Sequence, residues 1–282
     1  FNVSGGAPAN VLVYGVTTGV INNPFSGSGA PLLTSTDGTG TVGLLGANTI
    51  DGVVISNTGT GAGIYSNGAA GSFVLRNSAV SGGGAAINLL SGAATLNVNL
   101  QNLTLANAGN QTGALLNLNG TGGTLTLTGM SNLSINPAGG ETAGLVFNTV
   151  TFDSDLATGG IQAVNAGALT IGTTGARVQG DGLSLTNVSG ALTFSDLDIA
   201  NNGGTGLLVA NSKANNFLLT TLDGSTDTTG GTAVNLDPLT VNMTLSSVTA
   251  TGGAYGIRLD QVVGSVTVTG TVNVTGATTA GI

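Results

Sequence analysis

The sequence predicts an all-β chain wound as a right-handed parallel β-helix, a solenoid of about eleven coils. A Gly-containing turn followed by an apolar residue recurs along the chain at roughly 25-residue intervals, and such a period is typical of stacked repeats. Apolar and polar residues alternate between these turns, as in β-strands. Gly accounts for 50 of the 282 residues, which suits sharp corners with close backbone approach.

The apolar residue that opens each repeat is here called the anchor. Anchors are predicted at Ile64, Ile87, Leu115, Leu145, Leu183, Leu207, Val234, Ile257 and Ile282. Most successive anchors are about one repeat length apart, but the interval from Leu145 to Leu183 is clearly longer than the others. This long interval predicts an additional anchor at Ile161 or Val164.

Further short strands are predicted between anchors, including residues 95–100, 124–128, 192–197 and 265–269. Each places Leu, Val or Phe on one face and Thr, Asn or Ser on the other. Strands this short cannot bury a face alone, so stacked coils at about 4.8 Å per coil are predicted. A β-sandwich is the structural alternative, although its hairpins should show Asn-Gly or Asp-Gly turns at intervals of about 8 to 12 residues.

Two segments are predicted. Residues 1–40 fit the repeat poorly and contain Pro8, Pro24 and Pro31, so they are interpreted as irregular first coils or a capping segment. Residues 41–282 form the β-helix repeat domain. Because the chain begins with Phe1 and Ile282 opens another coil, it is interpreted as a segment of something longer, and either the natural chain continues or subunits stack end to end.

Composition excludes several function classes. The sequence contains no Cys, His or Trp, which excludes thiolate and imidazole nucleophiles, Cys/His zinc sites and disulfides. A net charge of −8, with four basic residues, argues against binding of nucleic acid through charge. No stretch has the length and hydropathy of a membrane helix.

Two acidic pairs are the candidates for catalysis. Asp153/Asp155 and Asp196/Asp198 each have i, i+2 spacing, which places both carboxylates on one strand face. Glycoside hydrolysis requires such carboxylates to converge in a cleft. Solvated outward pairs at a strand end are the preferred interpretation, because clustered Lys or Arg partners are missing from the sequence.

Calcium is the remaining metal chemistry, through Asp-Gly corners at Asp37, Asp51, Asp181 and Asp223. Asp-Gly is more simply a tight-turn dipeptide. The sequence therefore predicts no catalytic, cofactor-binding or metal-ligating residue and no cofactor. Among the aromatic residues, Tyr65 and Tyr255 are placed at one edge of the coil, and five are predicted core fillers: Phe73, Phe147, Phe152, Phe194 and Phe217.

Two stretches carry a family likeness. Residues 180–199 (GDGLSLTNVSGALTFSDLDI) and residues 149–155 (TVTFDSD) with 159–164 (GGIQAV) resemble repeat units of large bacterial secreted proteins. Those are the β-helical stalks of autotransporter passengers and giant adhesin-like surface proteins. The resemblance covers most of the chain from about Thr41 onward, and is one of style rather than of a signature motif.

The resemblance implies an extracellular, cell-surface rod that is structural or adhesive and not an enzyme. Its partners would be host or cell-surface ligands, or further copies joined end to end. A carbohydrate-active enzyme or polysaccharide-binding module on the same fold is the alternative, and would require two convergent carboxylates from different coils in a groove.

Overall fold

A computed structural model describes residues 11–13, 19–22, 30, 32–107, 113–157, 159–212 and 216–282. Every regular element in these ranges is a β-strand, and no helix occurs among them. Each ladder between strands is parallel, which excludes the β-sandwich. The strands are β1 (Val11–Val13), β2 (Gly19–Asn22), β3 (Leu32–Ser35), β4 (Gly40–Leu44), β5 (Asn48–Asp51), β6 (Val54–Asn57), β7 (Ala62–Asn67), β8 (Gly71–Gly82), β9 (Ile87–Leu90), β10 (Thr95–Asn107), β11 (Ala114–Asn119), β12 (Thr124–Asn136), β13 (Ala143–Asn148), β14 (Val150–Phe152), β15 (Val164–Ile171), β16 (Val178–Thr186), β17 (Ser189–Gly203), β18 (Leu207–Ala210), β19 (Leu218–Thr221), β20 (Gly224–Thr229), β21 (Val234–Asp237), β22 (Thr240–Thr251), β23 (Ile257–Leu259) and β24 (Val263–Thr275).

The strands form a β-solenoid of about nine turns. One turn runs from a strand of a first sheet, sheet A, to the next strand of that sheet, and it contributes one long strand or two short strands to a second sheet, sheet B. Sheet A contains β1, β4, β7, β9, β11, β13, β16, β18, β21 and β23, and the remaining strands lie in sheet B. The parallel stacked-coil prediction is confirmed, whereas the count of eleven coils is too high because several coils are longer than the repeat length on which it was based. The right hand of the coil stays a prediction.

A column of aliphatic side chains runs along the inside of sheet A. Its members pair from one coil to the next, and all are buried: Val42, Ile64, Ile87, Leu116, Leu145, Leu183, Leu207, Val234 and Ile257. Stacking removes each aliphatic side chain from water on both sides, and this apolar burial is the main stabilisation of the solenoid.

The predicted anchor Leu115 is wrong by one residue, since Leu116 pairs with both Ile87 and Leu145. The first three residues of β11 are all buried, because the chain turns the corner into sheet A there and alternation begins only afterwards. Two adjacent leucines therefore cannot be ordered by periodicity alone.

The additional anchor predicted at Ile161 or Val164 does not exist. Leu145 pairs directly with Leu183, so the long interval between them is a single long coil. Ile161 is exposed in a loop, and Val164 opens β15 in sheet B, where it pairs with Leu192. The extra residues form a loop on this coil instead of another turn.

Larger side chains fill the space between the two sheets. Phe147 of sheet A and Phe152 of sheet B meet edge to face with ring centroids 5.6 Å apart, and Phe217 lies 5.7 Å from Phe152. The predicted core fillers are confirmed, because all five phenylalanines are fully buried: Phe73, Phe147, Phe152, Phe194 and Phe217. Aromatic pairs of this geometry add to the stabilisation from burial alone.

The final coil is covered on one side only. Val248 in β22 is completely buried, whereas Val272, which pairs with it from β24, is 40% exposed. Val266, Val268 and Val274 of β24 are partly buried against the core. The coil end therefore presents apolar side chains together with a strand edge that pairs with no further described strand.

The described parts of residues 1–40 follow the same pairing rule. β1 pairs with β4, β2 with β5, and β3 with β6, all in parallel. Pro8, Pro24 and Pro31 lie outside the described residues, and the domain boundary at residue 40 stays a prediction.

Candidate functional site

Three carboxylates lie near one another on the outer face of sheet B. Asp196 and Asp198 flank the buried Leu197 in β17, so both point outward as predicted from their spacing. Asp223 lies on the next coil, directly before Gly224, which pairs with Leu197. Asp196 and Asp223 are therefore neighbours across two coils, a proximity that spacing alone did not reveal.

The charges in this group affect one another. Partial burial raises the pKa of Asp196, and the negative charges of Asp198 and Asp223 raise that pKa further. The Ser225 hydroxyl donates to Asp198 Oδ1 at 2.5 Å, and the Gly224 backbone amide donates to Asp223 Oδ1 at 2.7 Å. The result is a strip of carboxylates with Asp196 easier to protonate than an ordinary aspartate.

The acidic residues are also the available ligands for a hard metal ion such as calcium. No group of three or more Asp or Glu side chains in the described ranges is arranged to hold a metal ion. The four Asp-Gly carboxylates instead accept hydrogen bonds from nearby groups of the protein. Calcium chemistry thus gains no support from their placement.

The Asp-Gly residues differ in their local structure. Asp37 Oδ1 accepts the amide of Thr39 at 2.7 Å in a turn, and Asp51 ends β5 before Gly52, whose φ is 71°. The tight-turn interpretation is wrong for Asp181, which lies inside β16 and accepts the Thr205 amide of the next coil at 2.7 Å. That carboxylate joins two coils instead of closing a turn.

Asp153 and Asp155 do not share a strand face, contrary to prediction. Asp153 follows the end of β14, and its Oδ1 accepts the amides of Asp155 (3.1 Å) and Gln162 (3.0 Å). Asp155 Oδ1 accepts the Ala157 amide at 2.9 Å. Both carboxylates close the loop that lengthens this coil, which leaves them fewer lone pairs for a substrate.

Three arginines connect coils that are distant in sequence. Arg76 pairs with Asp51 at 2.8 Å, and Arg258 pairs with Asp237 at 3.1 Å. Arg177 spans two coils, donating to the carboxylate and the backbone carbonyl of Asp227. The sequence shows only that the basic residues are not clustered, yet each of these three lies about one or two coil lengths from its partner. Lys213 lies outside the described residues.

An asparagine ladder continues from Asp51 along the same edge of the stack. Asn77 donates to Asp51 at 2.8 Å, Asn102 to Asn77 at 2.9 Å, and Asn132 to Asn102 at 2.8 Å. Each of the three has a φ of 52°, a left-handed conformation that Asn tolerates better than most residues. Sequence analysis missed this ladder, although the spacing of its members matches the length of one coil.

A groove of about 420 Å³ runs along the outside of sheet A over five successive coils. Its lining combines several glycines and alanines with polar residues that include Asn88, Asn117 and Thr142. Asn117 donates to Asn88 at 2.9 Å, so the two amides are held in line along the stack. No charged side chain is among the residues that line it.

Glycine is required at two positions of the groove lining, Gly84 and Gly113. A Cβ on Gly84 would lie 2.5 Å from the Thr60 carbonyl oxygen, and a Cβ on Gly113 would lie 2.4 Å from that of Gly84. Close approach of successive coils therefore excludes larger residues from both positions.

Tyr65 and Tyr255 are not among the residues that line the groove. Tyr65 packs over Gly40 and Gly43 on sheet A, and Tyr255 bridges to Ala280 near the coil end.

One buried carboxylate had no signal in the sequence. Glu141 is 1% exposed and accepts hydrogen bonds from Asn107 Nδ2 at 3.1 Å and the Gln179 amide at 3.3 Å. Glu141 therefore connects the coil before it with the coil after it.

Comparison of the chain with protein-family models, with curated proteins and with solved structures finds no match in any of the three. Within the described ranges, no helix is long and apolar enough to cross a membrane.

Proposed function

We propose that this chain is an extracellular, non-enzymatic structural or adhesive rod, a segment of a larger bacterial surface or secreted protein. The observation that carries the proposal is that its ionisable side chains bind other coils of the same stack. Arg76, Arg177 and Arg258 each pair with an aspartate on another coil, and Asp181 accepts an amide from the next coil.

Such contacts contribute to cohesion along the stack. Charge pairs on an exposed surface contribute little individually, but repeated along a solenoid they oppose separation of neighbouring coils. At about 4.8 Å per coil, about nine turns give a rod on the order of 45 Å long. A stiff, weakly charged rod with outward Thr, Asn and Ser suits a stalk that holds other parts of a protein away from a surface.

The alternative is a polysaccharide-binding or carbohydrate-active solenoid, and the groove on sheet A favours it. The amides of Asn88 and Asn117 repeat at the coil spacing in an uncharged channel, which suits the hydroxyl groups of a neutral sugar chain. The carboxylates of Asp196, Asp198 and Asp223 are on sheet B, away from this channel.

One experiment separates these functions. The purified chain and its Asp196→Asn and Asn88→Ala/Asn117→Ala variants are incubated with neutral and acidic polysaccharides, while release of reducing ends and retention by the immobilised polysaccharide are measured. The rod proposal expects no cleavage and equal retention of all variants. Cleavage that is lost in Asp196→Asn supports the enzyme, and retention that is lost only in the double asparagine variant supports the binding module.

An adhesive role is tested directly by coating beads with the chain and counting beads held on host cells and on bacteria under flow. Beads coated with the heat-unfolded chain are the control. Attachment that needs the folded chain and is unchanged by Asp153→Asn/Asp196→Asn supports adhesion. Beads that are held neither on host cells nor on bacteria support a purely structural rod.

A further inference from the structure

We infer that the groove on sheet A, together with the ring of Tyr65 beside it, binds a linear, neutral glycan of the cellulose or xylan type, with the glycan chain running along the rod. This inference rests on the binding module, the alternative function proposed above, and it specifies both the class of ligand and a residue that selects it. It depends on three observations: the position of the Tyr65 ring, the free hydrogen-bonding groups of two asparagines, and the uncharged lining of the groove.

The ring of Tyr65 lies across the line of the groove, over the coil that contains β4. Two residues that line the groove belong to different columns of the stack: Ala62, which pairs with Gly40, and Asn88, which pairs with Tyr65. Tyr65 pairs on its other side with Gly43. A Cβ on Gly43 would lie 2.8 Å from the Tyr65 hydroxyl oxygen, and a Cβ on Gly40 would overlap the ring. The ring therefore extends over both columns that border the groove.

The same ring presents part of its surface to solvent. Gly43 lies between the interior residues Val42 and Leu44 and so faces outward, yet it is buried, because the ring covers it. Tyr65 itself is only partly buried. One side of the ring thus rests on glycine backbone, and the remainder is open. An aromatic ring fixed on the sheet surface in this way offers an apolar platform for the C–H face of a pyranose sugar.

The asparagine amides of the groove retain hydrogen-bonding capacity for a ligand. Asn117 Nδ2 donates to Asn88 Oδ1 at 2.9 Å, and among the described residues this is the only hydrogen bond that either side-chain amide makes. Both side chains are partly exposed. Asn88 Nδ2 therefore offers a donor and Asn117 Oδ1 an acceptor. A sugar hydroxyl, which both donates and accepts, complements this pair.

The groove also discriminates among glycans. Its lining contains no charged side chain and the chain carries a net charge of −8, so an acidic glycan would be repelled and would find no counter-charge there. Because the groove follows in-register residues over five successive coils, it fits a straight glycan better than a curved one. Stacking on Tyr65 requires a sugar whose hydroxyls are equatorial, which leaves C–H groups on the faces of its ring. Glycans of the cellulose and xylan type meet all three requirements.

The test measures binding of cellohexaose to the 282-residue chain by isothermal titration calorimetry. Maltohexaose, which joins the same sugar in a curved chain, and the acidic hexagalacturonate are the comparison ligands, and neither should bind. Tyr65→Ala should weaken cellohexaose binding about tenfold, whereas Tyr65→Phe keeps the ring and should stay within about twofold of the wild type. Tyr255→Ala, which removes a tyrosine on a distant coil, is the matched control and should bind like the wild type.

Circular dichroism verifies the fold of each variant, and Tyr65→Leu, which keeps an apolar cover over the glycines without an aromatic ring, replaces Tyr65→Ala if that variant unfolds. Equal binding of the three glycans, or binding undiminished by loss of the Tyr65 ring, would overturn the inference. If Asn88→Ala/Asn117→Ala alone abolished binding, the binding module would stand without the Tyr65 platform. No binding of cellohexaose by the wild type would overturn the inference and leave the proposed rod standing, whereas cleavage of cellohexaose would contradict the non-enzymatic function.

Discussion

A buried hydroxyl in the aliphatic column of sheet B gives a sharp test of the packing. Thr226 is 1% exposed between Ile199 and Val248, and its Oγ1 makes no hydrogen bond in the structure. A buried hydroxyl without a partner costs about 1 to 3 kcal/mol. Thr226→Val replaces it with a methyl group of similar size, so the variant should be more stable than the wild type by about 1 to 3 kcal/mol.

Thr228 in the same strand is the matched control. It is also fully buried, but its hydroxyl donates to Asn201 Oδ1 at 2.6 Å. Thr228→Val removes that donor and leaves a buried acceptor with one partner fewer, so it should destabilise the protein by about 1 to 3 kcal/mol. Chemical denaturation of the three proteins in parallel measures the differences. A Thr226→Val variant no more stable than wild type would show that the hydroxyl does have a partner and would refute the reasoning.

Three further outcomes are expected. Leu207→Ala should lower the free energy of unfolding by about 2 to 5 kcal/mol in chemical denaturation, because a cavity forms in the sheet A column, and an unchanged midpoint would contradict its inward position. Arg177→Ala should cost about 1.5 to 3 kcal/mol by the same measurement, since its guanidinium bridges three acceptors, whereas Arg76→Ala, whose side chain is 46% exposed, should cost less than about 1 kcal/mol. Asp196→Asn should be more stable than wild type at neutral pH, because the raised pKa of Asp196 means that its ionisation disfavours the folded state. The difference in stability should vanish below pH 3.8, where the carboxyl is protonated in both states. A difference in melting temperature between the two proteins that stays constant across pH would contradict this prediction.

The repeat was predictable because its signal is distributed over the whole chain. Alternation of apolar and polar residues identified strands inside β10, β12, β17 and β24, and the Gly-containing turns marked the coil starts. The prediction failed where local pattern is ambiguous. Leu115 and Leu116 are both apolar and both buried, so only the pairing with Ile87 distinguishes them.

The long coil shows a different limit. Between Leu145 and Leu183 the sequence retains turn residues and apolar residues, and a constant period suggested another anchor. Whether extra residues form a further turn or a loop depends on the pairing partners of the flanking strands, which are non-local. Ile161 is apolar yet exposed, because the loop closed by Asp153 carries it away from the core.

The sequence by itself determined the class of this protein: short parallel coils of regular period, aliphatic inside and Thr, Asn and Ser outside, with no cysteine or histidine chemistry. Those properties follow from period and composition, which are local. The tertiary structure alone decided which polar groups meet, such as Arg177 with Asp227, Asn77 with Asn102 and Thr228 with Asn201. These partners are one or two coils apart in sequence, and their contact depends on the length of every coil between them. A periodic pattern predicts that length only to within several residues.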